Sequence, residues 1–184
     1  LIANERSVVL VTETGYLKRM PVSEFEATSR GTRGKAGTRS QGEEAVKLFI
    51  SCNDHDTLLL FSDRGVSYAL PAYRVPQCSR TAKGTPVVQL LPIPREEAIT
   101  SLLAVSEFND DMDLLMLTRG GFIKRTRLSA FSNIRSNGLI ANERSVVLVT
   151  ETGYLKRMPV SEFEATSRGT RGKAGTRSQG EEAV

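Results

Sequence analysis

The sequence predicts an all-β chain, a propeller-like array of four-stranded blades. Three observations predict it. Stretches 7–16, 57–66 and 113–122 echo one another, each a short aliphatic or β-branched run and then a polar turn with glycine that leads into a second run, the sequence form of a β-hairpin. A further β-rich stretch follows the hairpin in two units, which makes about four strands per unit, as in a propeller blade. Glycine and proline interrupt the chain too often for helices of ordinary length.

In chain order, the first hairpin carries its glycine at Gly15, the second at Gly65 and the third at Gly121. Their second strands, 16–21, 66–71 and 122–127, alternate in part, and Pro21 and Pro71 stop two of them. Tyr16, Tyr68 and Phe122 are read as blade-packing aromatics at one hairpin position, not as stacking platforms for bases. After the first hairpin comes Ser29-Arg30-Gly31-Thr32-Arg33-Gly34-Lys35-Ala36-Gly37-Thr38-Arg39, with four cations, three glycines and no acid. Such a stretch cannot be a core element. It reads as a loop in which glycine lets backbone N–H groups approach an oxygen-rich ligand while Arg and Lys supply charge. Next, 43–50 matches 96–103 and predicts a second hairpin, read as strand in spite of its Glu-Glu-Ala onset.

The chain repeats itself. Residues 1–46 return letter for letter at 139–184, the mark of an engineered or very recent duplication. The units fall at about 5–54, 55–110, 111–143 and 144–184, together one domain over 1–184. The third unit runs from Gly138 through 139–142 straight into the duplicate, without a counterpart of 43–50, and the last copy stops at Val184. Both gaps predict β edges in need of partners, filled by strand exchange in a homodimer or by residues 1–6 lying against the last copy.

Composition bounds the function. At 184 residues and 39% hydrophobic content the chain can bury a sizeable core, and it lacks any apolar run of the roughly eighteen residues that a membrane span needs. It reads as soluble and cytoplasmic. The 25 basic and 21 acidic residues leave a net charge of +4, so a polyanion has to meet a local patch. Lys18, Arg19, Arg30, Arg33, Lys35 and Arg39 stand against only Glu24 and Glu26 in their stretch, which marks such a patch. Cys52, Cys78 and the single His55 lack metal-ligand spacing, and Asp54-His55-Asp56 reads as a polar turn between strands. No cofactor is implied. Gly31–Lys35 lacks the four-residue spacing and the Ser or Thr after Lys that a nucleotide phosphate loop requires.

The hairpin ending in Gly15-Tyr16-Leu17-Lys18-Arg19-Met20-Pro21, followed by Ser23-Glu24-Phe25 and the Arg-Gly-rich loop, resembles the C-terminal domain of the bacterial gyrase A protein, one of the two chains of DNA gyrase. The resemblance implies a β-pinwheel, a ring of four-stranded blades that exchange strands, with a basic rim that binds and wraps DNA. It implies a non-catalytic accessory domain of a type II topoisomerase. Aligned on the family's Gln-Arg-Arg-Gly-Gly-Lys-Gly box, Arg30, Gly31 and Gly34 match, Arg33 replaces Lys, and Thr32 replaces a glycine. The duplicate supplies Arg168, Gly169, Arg171 and Gly172; Arg80, Lys83 and Gly84 hold the places in the middle unit, and Arg135 and Gly138 in the third.

The expected DNA contacts are therefore Arg30, Arg33, Lys35 and Arg39 with Gly31 and Gly34, and their duplicates Arg168, Arg171, Lys173 and Arg177 with Gly169 and Gly172. Lys18, Arg19, Arg80, Lys83, Lys124 and Arg125 are expected to assist. Duplex DNA would be held through its phosphates. Two other readings stay open here: a structural or engineered repeat scaffold with little DNA affinity, and a protein-interaction propeller.

Overall fold

A computed structural model describes residues 1–25, 45–118, 121–135 and 137–139, with backbone alone at 140 and 173–174. The three hairpins form where the repeats place them. Strand β1 (Arg6–Thr12) pairs with β2 (Tyr16–Pro21), β4 (Thr57–Ser62) leads to β5 (Val66–Pro71), and β8 (Asp113–Leu117) pairs with β9 (Phe122–Arg127). Each turn uses the same chemistry. Gly15, Gly65 and Gly121 have φ of 81°, 75° and 79°, and their N–H groups donate to the carbonyls of Thr12, Ser62 and Thr118 at 3.0, 3.0 and 2.9 Å. The hydroxyls of those same residues accept the first N–H of the next strand, at Tyr16, Val66 and Phe122. A type I turn closed by a left-handed glycine is the usual three-residue hairpin connection.

Where a second hairpin is predicted after the basic loop, one long strand stands instead. Strand β3 (Val46–Asn53) pairs antiparallel along the outer side of β1, from Arg6 opposite Asn53 to Thr12 opposite Val46, with a bulge at Val11/Thr12. Strand β7 (Ile99–Val105) takes the same place on β4. The predicted equivalence of 43–50 and 96–103 is visible in the turns: Glu13 N–H donates to Ala45 and Asp63 N–H to Ala98, both at 2.9 Å. The runs after the two Glu-Glu-Ala onsets are strand and not helix; Glu43 and Glu44 lie outside the described residues, and residues 96–98 precede β7 as turn and coil.

The fourth strand comes from a place the sequence does not advertise. Thr85–Pro86 (β6) pairs with β2, Leu139–Ile140 (β10) with β5, and Lys173–Ala174 (β11) with β9. The sheets thus run β3-β1-β2-β6, β10-β5-β4-β7 and β11-β9-β8. In the first two the outermost two residues are donated by the segment that follows the next hairpin, and β11 stands at the corresponding place in the repeated sequence. Among the described residues nothing lies on the outer side of β8, where the third unit lacks its counterpart of β3. Leu115 is accordingly 43% exposed, whereas Val9 and Leu59 at the equivalent register are fully buried.

Short 3-10 turns, Val22–Glu24, Ala72–Arg74 and Leu128–Phe131, follow β2, β5 and β9, and a single helical turn, Val87–Leu90 (α1), follows β6. By backbone packing the chain divides into two compact units. The first comprises Leu1–Leu59, Ala69–Arg95 and Leu102–Ser106; its core includes Val9, Val11, Leu17, Met20, Leu58 and Val75. The second comprises Leu60–Tyr68, Glu96–Ser101 and Glu107–Val184, with Phe61 packed edge to face on Phe131 at 6.3 Å. Residues 1–6 lie along the turn after β3, where Asp54 N–H donates to Glu5 and His55 N–H to Asn4. The last copy, against which they are predicted to lie, falls outside the described residues apart from Leu139 and backbone at 140 and 173–174.

The register also corrects the aromatic reading. Tyr16, Val66 and Phe122 open the second strands, while Tyr68 sits two residues further in, at the place of Lys18 and Lys124. It is buried and donates its hydroxyl proton to Glu97 Oε1 at 3.1 Å.

Candidate nucleic-acid interface

The part of the basic segment that the structure describes most fully is 74–86, between β5 and β6. Val75 is its buried anchor: its N–H donates to Ala72, and its carbonyl accepts the Arg19 Nε proton at 2.9 Å. Cys78 N–H donates to the Arg19 carbonyl at 3.0 Å, and Gln77 makes an isolated parallel bridge with Arg19. Further on, Ala82 N–H donates to Ser79, and the Lys18 ammonium donates to the Arg80 carbonyl at 2.9 Å. The segment is therefore fastened to β2 from beneath, with Arg74 and Lys83 exposed and Arg80 half-buried. Lys83 Nζ stands 4.6 Å from the centre of the Tyr16 ring, a cation–π contact that orients the side chain at the surface.

Three of the expected phosphate contacts are thereby relocated. Lys18 and Lys124 are each 1% exposed, and Arg19 is 8% exposed. Arg19 Nη1 pairs with Asp54 Oδ1 at 2.8 Å, and the same oxygen accepts the Ser7 hydroxyl at 2.7 Å. These cations serve the interior of the blade: β2 is buried on both faces over residues 17–20, and Ile123, Lys124 and Thr126 are buried in β9, so none of the three has a wet side to turn to. Burial also pushes the Lys124 ammonium to a lower pKa than an ordinary lysine. Arg125 is nearer the surface and pairs with Asp113 through Nε and Nη2, so part of its charge is already met.

The box glycine has a different local reason from the one expected. Gly84 has φ +90° and Gly138 φ +87°. A Cβ at Gly84 would lie 2.5 Å from both the Leu17 carbonyl and Lys18 Cγ; at Gly138 it would lie 2.5 Å from Val66 Cγ1 and 2.9 Å from Tyr68 Cε1. Glycine here lets the segment press against the preceding hairpin and hand its next two residues to that sheet. Lys173 follows Gly172 and belongs to β11, so this part of the predicted loop is an edge strand. Arg30, Gly31, Arg33, Gly34, Lys35, Arg39, Arg168, Gly169, Arg171, Gly172 and Arg177 lie outside the described residues. Arg135 is exposed just before Gly138. Arg74 was not singled out by sequence because Glu24 and Ala130 stand at its place in the other 3-10 turns, so no repeat marks it.

A family model described as DNA gyrase C-terminal domain, beta-propeller, matches the chain four times, at residues 6–50, 56–106, 113–143 and 144–181. The chain belongs to that family. The gyrase A protein of Synechocystis is 59% identical over 141 residues, covering 77% of this chain and 16% of the relative. The chloroplastic/mitochondrial gyrase A protein of Arabidopsis thaliana is 37% identical over 200 residues, covering 100% of this chain and 21% of the relative. The chain thus spans a quarter or less of the curated relatives it matches.

Solved structures share the fold. A DNA gyrase A C-terminal domain superposes with a TM-score of 0.73 at 21% identity, over 97% of this chain and 63% of the other. The C-terminal domain of a DNA topoisomerase IV gives 0.70 at 22% identity, over 100% and 60%. The fold is the β-propeller, or pinwheel, of this family, and the family is one of non-catalytic accessory DNA-wrapping domains. Among the described residues there is no cluster of potential metal ligands, and no helix is long and apolar enough to cross a membrane.

Proposed function

We propose that the chain binds duplex DNA through its phosphates along a basic rim and bends it, with little regard to base sequence, in a soluble, cytoplasmic setting. The observation that carries this reading is the fastened 74–86 segment, whose Arg74 and Lys83 are exposed on a backbone tied down by the buried Lys18 and Arg19. Arg80 and Lys83 present there what Arg30, Arg33, Lys35 and Arg39, and Arg168, Arg171, Lys173 and Arg177, would present in the first and last units. Arg135 adds the third. Each contact displaces condensed counterions from the duplex, and that release supplies most of the affinity. Lys18, Arg19 and Lys124 drop out of the contact set and enter as supports.

The four family matches support one array of four units over 1–184. A mobility-shift experiment with two duplexes of unrelated sequence, at low and moderate salt, tests the reading. Comparable binding that weakens with salt is expected, and absence of binding at low salt would return the chain to a scaffold role.

The side of β8 left open among the described residues favours a partner as well. A second copy of the chain is proposed to supply the missing outer strand there, as β3 and β7 do for β1 and β4, giving a strand-exchanged homodimer. Light scattering over a range of concentrations should then show a dimer mass, and a monomer at the highest concentration would dismiss it.

A further inference from the structure

Lys18 is an expensive residue to bury. A lysine on a strand covered on both faces loses its hydration, and an apolar side chain of similar volume would fill the space with less penalty. Yet Lys18 and Lys124 occupy the same place in the first and third hairpins, each 1% exposed. Tyr68 takes that place in the second hairpin, beneath Gly138. What Lys18 meets there is the next basic segment: its ammonium donates to the Arg80 carbonyl at 2.9 Å, and its stem is the surface on which Gly84 seats. A loop that turns cations and N–H groups toward phosphates leaves carbonyls to be satisfied on its protein side. An ammonium, with three protons to give, suits that task better than an apolar group.

We infer that Lys18 is a positioning residue for the DNA-binding segment, fixing the course of the 79–84 backbone from beneath so that Arg80 and Lys83 face the duplex, and never touching phosphate itself. The inference rests on the DNA-binding reading above. It separates cations that neutralise phosphate from cations that shape the surface, a distinction that composition does not draw.

The test replaces Lys18 by Met, which keeps the stem and removes the donor. In Lys18→Met, amide exchange at 79–84 is expected to quicken about tenfold or more while β1 and β3 stay protected. Duplex affinity is expected to fall about three- to tenfold, the effect of one lost charge-assisted hydrogen bond felt through loop order. The log–log salt slope should stay as in the unmutated chain, because no phosphate contact is lost, whereas Lys83→Ala in parallel should make it shallower by about 0.9. Unchanged exchange and affinity would overturn the inference, and so would a slope that falls as it does in Lys83→Ala.

Should Lys18→Met fail to fold, Lys18→Gln, which retains an N–H donor, is expected to change exchange at 79–84 and affinity in the same direction but less, with the salt slope unchanged, and a slope that falls as in Lys83→Ala would overturn the inference. The unmutated chain gives a further measurement: amine acetylation should leave Lys18 unmodified with or without DNA. Modification in the free chain and protection by DNA would overturn the inference. If the unmutated chain does not bind duplex at low salt, the DNA reading itself fails, while the exchange measurement still decides whether Lys18 orders the segment.

Discussion

Replacing Arg30, Arg33, Lys35, Arg168, Arg171 and Lys173 together by alanine is expected to lower duplex affinity at least about a hundredfold at 0.1 M salt, and to flatten the log–log salt slope by about five. The reasoning is additive: each cation that neutralises a phosphate contributes about 0.9 to the slope, and six are removed. The three changes in one copy should give about half the loss in slope. Little unfolding is expected, since glycine-rich basic segments contribute little to a core. Thermal melting alongside fluorescence anisotropy with a labelled duplex separates the two quantities. A six-residue variant that melts as before and binds as before would remove these loops from the interface and favour the scaffold reading.

Asp54→Ala is expected to lower stability by about 3 kcal/mol, near the lower end of what breaking a buried ion pair costs. The size follows from the arrangement. Asp54 Oδ1 is the acceptor for both Arg19 Nη1 and Ser7 Oγ, and with it gone the guanidinium stays buried with the Val75 carbonyl as its remaining strong partner. For a chain of this length that loss corresponds to a midpoint lower by about 10 °C. Arg19→Met combined with Asp54→Leu should be less destabilising than Asp54→Ala alone, because no uncompensated charge remains. Urea titration reads both, and a loss below about 0.5 kcal/mol for Asp54→Ala would show that the pair contributes little. Arg19→Met, where folded, should leave the log–log salt slope of duplex binding unchanged, because Arg19 is buried and touches no phosphate.

The hairpins were legible because their signal is local. Thr12, Ser62 and Thr118 each stand three residues before a glycine, and the hydroxyl and the left-handed glycine together close the turn within a few residues. The fourth strands were not legible. β6, β10 and β11 are two residues long, carry no periodicity, and find their partner a whole unit upstream, so only the close approach of Gly84 and Gly138 reveals them. The basic segments announced themselves by composition, but the roles of individual cations did not. Alternation assigns one side of a strand to water, and Leu17, Lys18, Arg19 and Met20 in β2 are all buried. Where a strand has no wet face, a lysine in the sequence reads the same whether it meets a phosphate or a carbonyl.

The measurement that bears most directly on the central claim is the salt dependence of duplex binding by the whole chain. If phosphate contacts supply the affinity, log Kd plotted against log salt should be a straight line with a slope of about 0.9 per phosphate neutralised, several units in all, and nearly the same for duplexes of different sequence. A slope near zero, or affinity that depends strongly on base sequence, would contradict the account.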